Sequence, residues 1–394
     1  MPDVFLLALL VVAVAIGWWL GRRERKGTGG TSPPPPPARE YFVGLNYLLN
    51  DQQDRAIETF IGTLEVNSDT IETHLALGNL FRSRGEADRA LKVHQNLLAR
   101  PTLTGWQSER VQLELSRDFL ALGLLDRAEG LLQHLVHDSQ DDELRDAAKR
   151  LLVDLLEREG EWQAALDVAL PRLVREHDDV RRAAAHWLCE LAEQERHSAS
   201  PVLARRHLRQ ALATDAACVR ANLLLSAMEH DTGHYKPAIK LLRRIPDQDT
   251  AYTPIILEPL SHAYRLLNDE KGLIHCLQDL LEQTPCTDVI LRLAETLRHH
   301  HGDDQAALAL VTEKLDHVPS LSAVHYLLTL YRYNAGEAEE ARLALLQRHT
   351  QTLVQDLPRY RCRRCGFSGD RLHWQCPRCR NWGTTKPITA IERE

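Results

Sequence analysis

Two Cys-x-x-Cys pairs, Cys362 with Cys365 and Cys376 with Cys379, stand ten residues apart near the C-terminus of a 394-residue chain. A lone pair of this kind says little. The doubled spacing lets two short turns each present two thiolates to one tetrahedral ion, so these four cysteines are the candidate metal ligands. Gly366 directly follows the second cysteine and allows the backbone conformation such a turn needs, while Pro377 stiffens the second turn. A segment this short cannot build a sufficient hydrophobic core, so metal binding is expected to supply the missing folding energy. Tyr360, Phe367, Trp374 and Trp382 are expected to pack around the site. The cofactor is read as one zinc or iron ion. Zinc is favoured because a closed four-thiolate site needs no redox partner, although the same ligands hold iron in rubredoxin. A closed site has no open coordination position, which argues against metal-assisted hydrolysis. Disulfides are the competing reading, and they fit poorly with the reducing compartment inferred below.

Other chemistry-bearing residues point nowhere comparable. Cys189, Cys218, Cys276 and Cys286 are scattered through helical sequence, where free cysteine behaves as a small buried hydrophobe. His299, His300 and His301 are adjacent at a helix end before Gly302, so their rings diverge and suit a solvated turn better than a metal. The chain has no phosphate-binding loop, dinucleotide fingerprint, nucleophile elbow or His-Glu-x-x-His sequence. No catalytic and no cofactor-binding residues are therefore assigned, and the chain is read as a non-enzyme. The net charge of -7 creates no global field for nucleic acid or anionic membrane. Residues 358–394 nevertheless hold nine Lys/Arg against three Asp/Glu, a local +6 that leaves -13 on the rest. That asymmetry suits a zinc-ribbon RNA reader, but equally a knuckle held against acidic repeats or near anionic lipid, and nucleic acid is not expected as a partner.

The elements that must position the knuckle are helical. Sparse aromatics and a sequence rich in Leu, Ala, Arg and Glu favour an all-α class. Gly44, Leu45, Tyr47, Asp51, Ala56 and Phe60 recur 34 residues later as Gly78, Asn79, Phe81, Gly85, Ala90 and His94. Period and residue types resemble the tetratricopeptide repeat, a helix pair in which small residues admit close packing and an aromatic fills the gap. The alanine position continues through Ala128, Ala165, Ala204, Ala238, Ala307 and Ala341, with Leu273 standing in once. Turn glycines Gly123, Gly160, Gly233 and Gly336 fall five residues before their alanines. About nine units are expected, with insertions near Thr102 to Ser108 and His197 to Pro201 and degenerate units around Leu260 to Leu310. Stacked repeats of this type form a superhelix with a concave groove that binds peptides or protein surfaces.

Val4 to Leu20 is an unbroken run of 17 uncharged residues, nearly all apolar, which as a helix spans about 26 Å and just crosses a bilayer. Trp18 and Trp19 suit the interface, and Arg22, Arg23, Arg25 and Lys26 place everything after Leu20 in the cytoplasm. A cleaved signal peptide would carry its basic residues before the apolar run. Gly27 to Ala38, with Pro33 to Pro37, is an extended spacer. The organisation is thus an anchor over 1–21, a basic stop and Pro-rich linker over 22–39, a repeat array over 40–355 and a rubredoxin-like metal domain over 356–394.

This order of parts resembles the lipopolysaccharide assembly protein B (LapB/YciM) family of Gram-negative bacteria. The resemblance covers nearly the whole chain. It is carried by Gly17-Trp18 with Gly21-Arg22-Arg23, by the run from Leu77 to Glu86, and by Tyr360 to Phe367 with Trp374, Cys376-Pro377, Cys379, Trp382 and Lys386-Pro387-Ile388. The pentaproline spacer departs from the more polar linker expected there. The resemblance implies a single-pass inner-membrane adaptor, with repeats and C-terminus in the cytoplasm, that presents the deacetylase LpxC to the protease FtsH and contacts other inner-membrane lipopolysaccharide-assembly proteins. It also implies a rubredoxin-type domain packed on the repeats and required for activity. Two other readings compete. A rubredoxin-like electron carrier requires iron, visible as colour, and a zinc-ribbon RNA-binding protein requires an affinity that falls steeply with salt.

Overall fold

The computed structural model describes residues 39–50, 52–66, 71–197, 200–301, 304–315, 320–333, 335–355 and 357–388. The anchor read over 4–20 and the spacer up to residue 38 lie outside these residues. Among the described residues no helix is long and apolar enough to cross a membrane.

The chain divides into two compact units, the first ending at Leu124 and the second starting at Leu125. In the first lie α1 (Arg39–Leu49), α2 (Gln53–Val66), α3 (Ile71–Ser83), α4 (Ala87–Leu98) and α5 (Gly105–Ala121). The second opens with α6 (Leu125–Asp138), α7 (Asp142–Glu159), α8 (Trp162–Ala169), α9 (Arg172–Glu176), α10 (Asp178–His197) and α11 (Pro201–Thr214). It continues through α12 (Val219–Asp231), α13 (Tyr235–Leu242), α14 (Ile245–Gln248), a 3-10 turn (Thr250–Tyr252), α15 (Thr253–Leu266) and α16 (Glu270–Gln283). The last helices are α17 (Thr287–His301), α18 (Asp304–Leu315), α19 (Leu321–Tyr333) and α20 (Glu337–Gln355). Three short strands follow, β1 (Tyr360–Cys362), β2 (Ser368–Gly369) and β3 (Thr385–Pro387), in an antiparallel sheet of order β2-β1-β3. Tyr360 pairs with Gly369 on one side of β1 and with Pro387 on the other.

In the first unit the repeat chemistry explains the packing. Gly44 faces the Phe60 ring and Gly78 faces the His94 ring, and a Cβ at either glycine would lie closer than 3.0 Å to ring atoms. Each glycine therefore admits one ring, and the 34-residue offset between the two pairs is the repeat itself. The second ring is a buried histidine, so it needs a polar partner. Asp118 of α5 supplies one, 2.5 Å from His94 Nδ1, and Arg82 holds Asp118 and Glu114 at 2.6 Å each.

The small-residue position that marks each repeat is buried at Ala56, Ala90, Ala128, Ala165, Ala204, Ala238 and Ala307, and Leu273 fills it in the divergent unit. Ala341 is exposed. It lies on α20, the last described helix, where no further helix follows to cover it. The turn residue five positions earlier adopts positive φ at Gly85, Gly123, Gly160 and Gly233. In the divergent unit Asn268 takes that place with φ 53°. Asparagine is one of the few side chains that tolerate this region, because its short amide can bond locally.

Substitution of Gly78 by Ala should strain the His94 contact and destabilise the chain by about 1–3 kcal/mol, the usual cost of overpacking. Urea unfolding followed by circular dichroism checks this, and an unchanged midpoint would show that the His94 ring can shift freely.

Candidate metal centre

The knuckle is built from two turns of the same design. Around the first, the Gly366 N–H donates to the Cys362 carbonyl at 3.0 Å and the Cys362 N–H to the Phe367 carbonyl at 2.7 Å. In the second, the Arg380 N–H donates to Cys376 at 2.8 Å and the Cys376 N–H to Asn381 at 3.0 Å. The residue after each second cysteine is left-handed, Gly366 at φ 74° and Arg380 at φ 57°. An arginine is unusual there, and its side chain gives the reason below.

These turns bring the four thiols together, with all four Sγ atoms within 4.8 Å of one another. Cys362 and Cys379 are 3.7 Å apart and Cys365 and Cys376 are 3.6 Å apart. A tetrahedral ion with bonds of ~2.3 Å to sulfur needs sulfur–sulfur edges of ~3.8 Å, so the cluster has the size of a four-thiolate metal site. Cys362 and Cys376 are buried, whereas Cys365 and Cys379 are half-buried. Burial opposes the Cys362 thiolate, but the Thr384 hydroxyl and the amides of Cys365 and Arg364 outweigh it and bring the thiol down to about 6. At Cys376 burial prevails and pushes the thiol up. A cation would remove that opposition by drawing all four sulfurs into the thiolate form.

The other half of the site lies on the helices of the second unit. Asp141 caps α7 by accepting from the Glu143 and Leu144 amides, and Gly160 ends it in the left-handed conformation, which leaves Glu157 in the last turn. The Glu157 carboxylate accepts the Trp382 indole N–H at 2.7 Å, the Trp187 indole N–H at 2.8 Å and the Gln375 amide at 2.6 Å. Arg380 reaches the same carboxylate at 3.5 Å and Asp154 at 3.7 Å. The left-handed arginine thus places a cation over α7 that glycine could not. Burial pushes the Glu157 carboxyl up, and the two indole hydrogen bonds and Arg380 oppose this.

On α10, buried His186 stacks on Trp382 with centroids 5.0 Å apart and lies 5.8 Å from Trp374. Tyr252, held in its 3-10 turn by the Asp249 side chain capping Ala251, donates to the Thr385 carbonyl at 3.0 Å. Lys386 pairs with Asp249 and sits 4.1 Å over the Tyr252 ring. Of the aromatics expected around the metal, Phe367 stays within the knuckle against His373, while Trp374 and Trp382 turn to the helices. Trp374 joins the apolar cluster formed by Val219, Tyr252, Ile256 and their neighbours. The knuckle's apolar core is therefore shared with the repeats. Glu157, His186, Asp249 and Tyr252 were not singled out from the sequence, because each lies in ordinary helical sequence with no neighbouring motif.

The hydrogen bonds to Glu157 should outweigh its ion pair. Glu157→Ala leaves two indoles and an amide without their acceptor and should cost about 3–5 kcal/mol of docking, since each buried donor left unpaired costs roughly 1–3 kcal/mol. Arg380→Gly should change it by less than about 1 kcal/mol and retain the metal, since long, half-exposed ion pairs are weak and the turn suits glycine. Tryptophan fluorescence during urea unfolding separates the two, and equal losses would refute the ranking.

His186 gives docking a pH dependence. Burial, then Arg220, Arg182 and Lys386, lower its pKa from 6.5 to about 3. Its stabilising contribution is complete above pH 6.5 and is lost as pH falls towards the folded value, because the undocked ring binds the proton more readily. The slope should approach ~1.4 kcal/mol per pH unit. His186→Phe, which keeps the stacking, should flatten the acid side of the stability curve while metal content is followed in parallel; an unchanged slope would contradict this.

Comparison with known proteins agrees with this architecture. Residues 360–387 match the family described as Rubredoxin metal binding domain, and residues 73–191 and 270–367 match Tetratrico peptide repeat. Lipopolysaccharide assembly protein B of Escherichia coli (strain K12) is 36% identical over 98% of both chains. The protein of that name from Haemophilus influenzae is 34% identical, also over 98% of both. At this identity and coverage, with the four-thiol knuckle seated on tetratricopeptide helices, the chain belongs to the lipopolysaccharide assembly protein B family.

Proposed function

We propose that this chain is a single-pass inner-membrane scaffold for lipopolysaccharide assembly, which restrains synthesis by presenting LpxC to FtsH for degradation. Val4 to Leu20 would be the anchor, with repeats and knuckle in the cytoplasm beyond the basic residues Arg22 to Lys26. The observation that carries the reading is the full-length kinship to proteins named for lipopolysaccharide assembly, joined to a repeat array of the kind that binds proteins. The knuckle's role follows from its docking: it covers the α7, α10 and 3-10 surfaces and fixes the shape that the scaffold offers to its partners. Zinc is the proposed ion, held by Cys362, Cys365, Cys376 and Cys379, and it supplies folding energy and not catalysis. The scaffold acts by proximity, since holding protease and substrate together raises their effective concentration without new chemistry.

Two variants test this. Removal of Val4 to Leu20 should leave a helical protein that fails to lower LpxC at native abundance, because anchoring supplies co-localisation and no core. Joint replacement of Cys362 and Cys365 by Ser should abolish metal binding, preserve the helical signal and let LpxC accumulate. Normal LpxC turnover in the metal-free variant would reduce the knuckle to a passive cap, and normal turnover in the truncated one would remove the anchor from the mechanism.

A further inference from the structure

Behind the docked knuckle lies a cavity of about 320 Å³, lined by Arg182, His186, Cys218, Tyr252, Trp374 and Lys386. One wall is a thiol. Cys218 is the N-cap residue immediately before α12, and its Sγ is 3.9 Å from that of Cys189 on α10. Both cysteines are buried, Cys218 at 4% and Cys189 at 0% exposure, and Cys218 lines the cavity, which gives a route to the pair.

Their closeness is fixed by an adjacent clamp. Arg220, two residues after Cys218, donates to Glu190 at 2.7 Å and pairs with Glu193, residues that follow Cys189 on α10. The two sulfurs differ in character. At the helix start, amide dipoles favour negative charge. Hydrogen bonding from the Cys189 thiol, opposed by burial, lowers the Cys218 thiol, whereas burial raises Cys189.

We propose that Cys189 and Cys218 form a redox-active dithiol, which a small oxidant of the peroxide class entering through the cavity closes to a disulfide joining α10 to the start of α12. In the first step the Cys218 thiolate attacks one peroxide oxygen. A sulfur–oxygen bond forms, the oxygen–oxygen bond breaks, and the departing hydroxide leaves as water with the proton that Cys218 had given up. Sulfur is oxidised by two electrons and peroxide is reduced. In the second step Cys189 loses its proton and its sulfur attacks Cys218. The sulfur–sulfur bond forms, the sulfur–oxygen bond breaks, and the hydroxide takes that proton to leave as a second water. An external dithiol reverses the bond. Because His186 lies one turn before Cys189 on α10, the cross-link would lock the helix on which Trp382 stacks.

The test uses the full-length, metal-loaded chain treated with hydrogen peroxide, quenched with iodoacetamide and mapped by mass spectrometry without reduction. A Cys189–Cys218 peptide, two hydrogens lighter and lost on dithiothreitol treatment, should form at least about tenfold faster than the thiols of Cys276 or Cys286 are consumed. Those two are internal controls, since burial raises both, Cys286 to about 11. Cys189→Ser should abolish the cross-link and leave Cys218 as a sulfenic acid that dimedone traps, and Cys218→Ser should leave Cys189 reduced. The proposal is overturned by oxidation of the pair no faster than the controls, or by cross-links that run to the knuckle cysteines instead. The wild-type map decides between these outcomes even where a variant fails to fold.

Discussion

A carboxylate removed from water is costly unless every lone pair finds a donor. Glu157 meets that condition only when the knuckle is docked. Of its three hydrogen-bond donors, the Trp187 indole comes from α10 of the following repeat, while the Trp382 indole and the Gln375 amide come from the knuckle. Undocking would leave the carboxylate to water and one tryptophan, and would strip both knuckle side chains of their acceptor. The asymmetry between a satisfied and a half-satisfied buried group makes this contact decisive. It fixes position as well as energy, because three donors converge on one small group.

Docking also settles how so small a sheet holds together. Three strands of two or three residues bury little, and the turns around the cysteines face the metal position and not a core. The apolar side chains that a larger domain would turn inward, Trp374 and Trp382, are turned outward onto His186, Tyr252 and Trp162. The helices therefore supply one half of the knuckle's core, and an ion held by the four thiols would supply the other. The basic charge of the C-terminal segment likewise sits opposite acidic residues of the repeats: Lys386 meets Asp249, and Arg380 meets Asp154 and Glu157.

The repeats show how the platform tolerates sequence drift. What recurs physically in the described units up to α16 is a left-handed turn, at Gly85, Gly123, Gly160, Gly233 and Asn268, followed five residues later by a buried side chain. Asn268 and Leu273 meet both demands without glycine or alanine. His94 keeps a ring at its position but adds two nitrogens, and a carboxylate and an arginine from neighbouring helices are drawn in to balance one of them. A change of one side chain is thus absorbed by polar partners of the adjacent repeat, which is possible because each repeat touches chiefly its neighbours.

By itself the sequence determined whatever depends on short separations along the chain. The alanine and turn positions recur at a period that helix geometry dictates, and the glycine-to-ring pairs Gly44 with Phe60 and Gly78 with His94 sit at one fixed offset. The four cysteines were equally legible, since each Cys-x-x-Cys turn presents its two sulfurs through local backbone hydrogen bonds. The tertiary structure alone decided where the knuckle rests. Gln375 and Trp382 find Glu157 across 218 and 225 residues, and the Cys189–Cys218 contact spans two helices whose register Arg220 sets. No local pattern marks a glutamate as the one acceptor that will be buried, because its burial is a property of the surface that folds over it and not of the residues beside it in the chain.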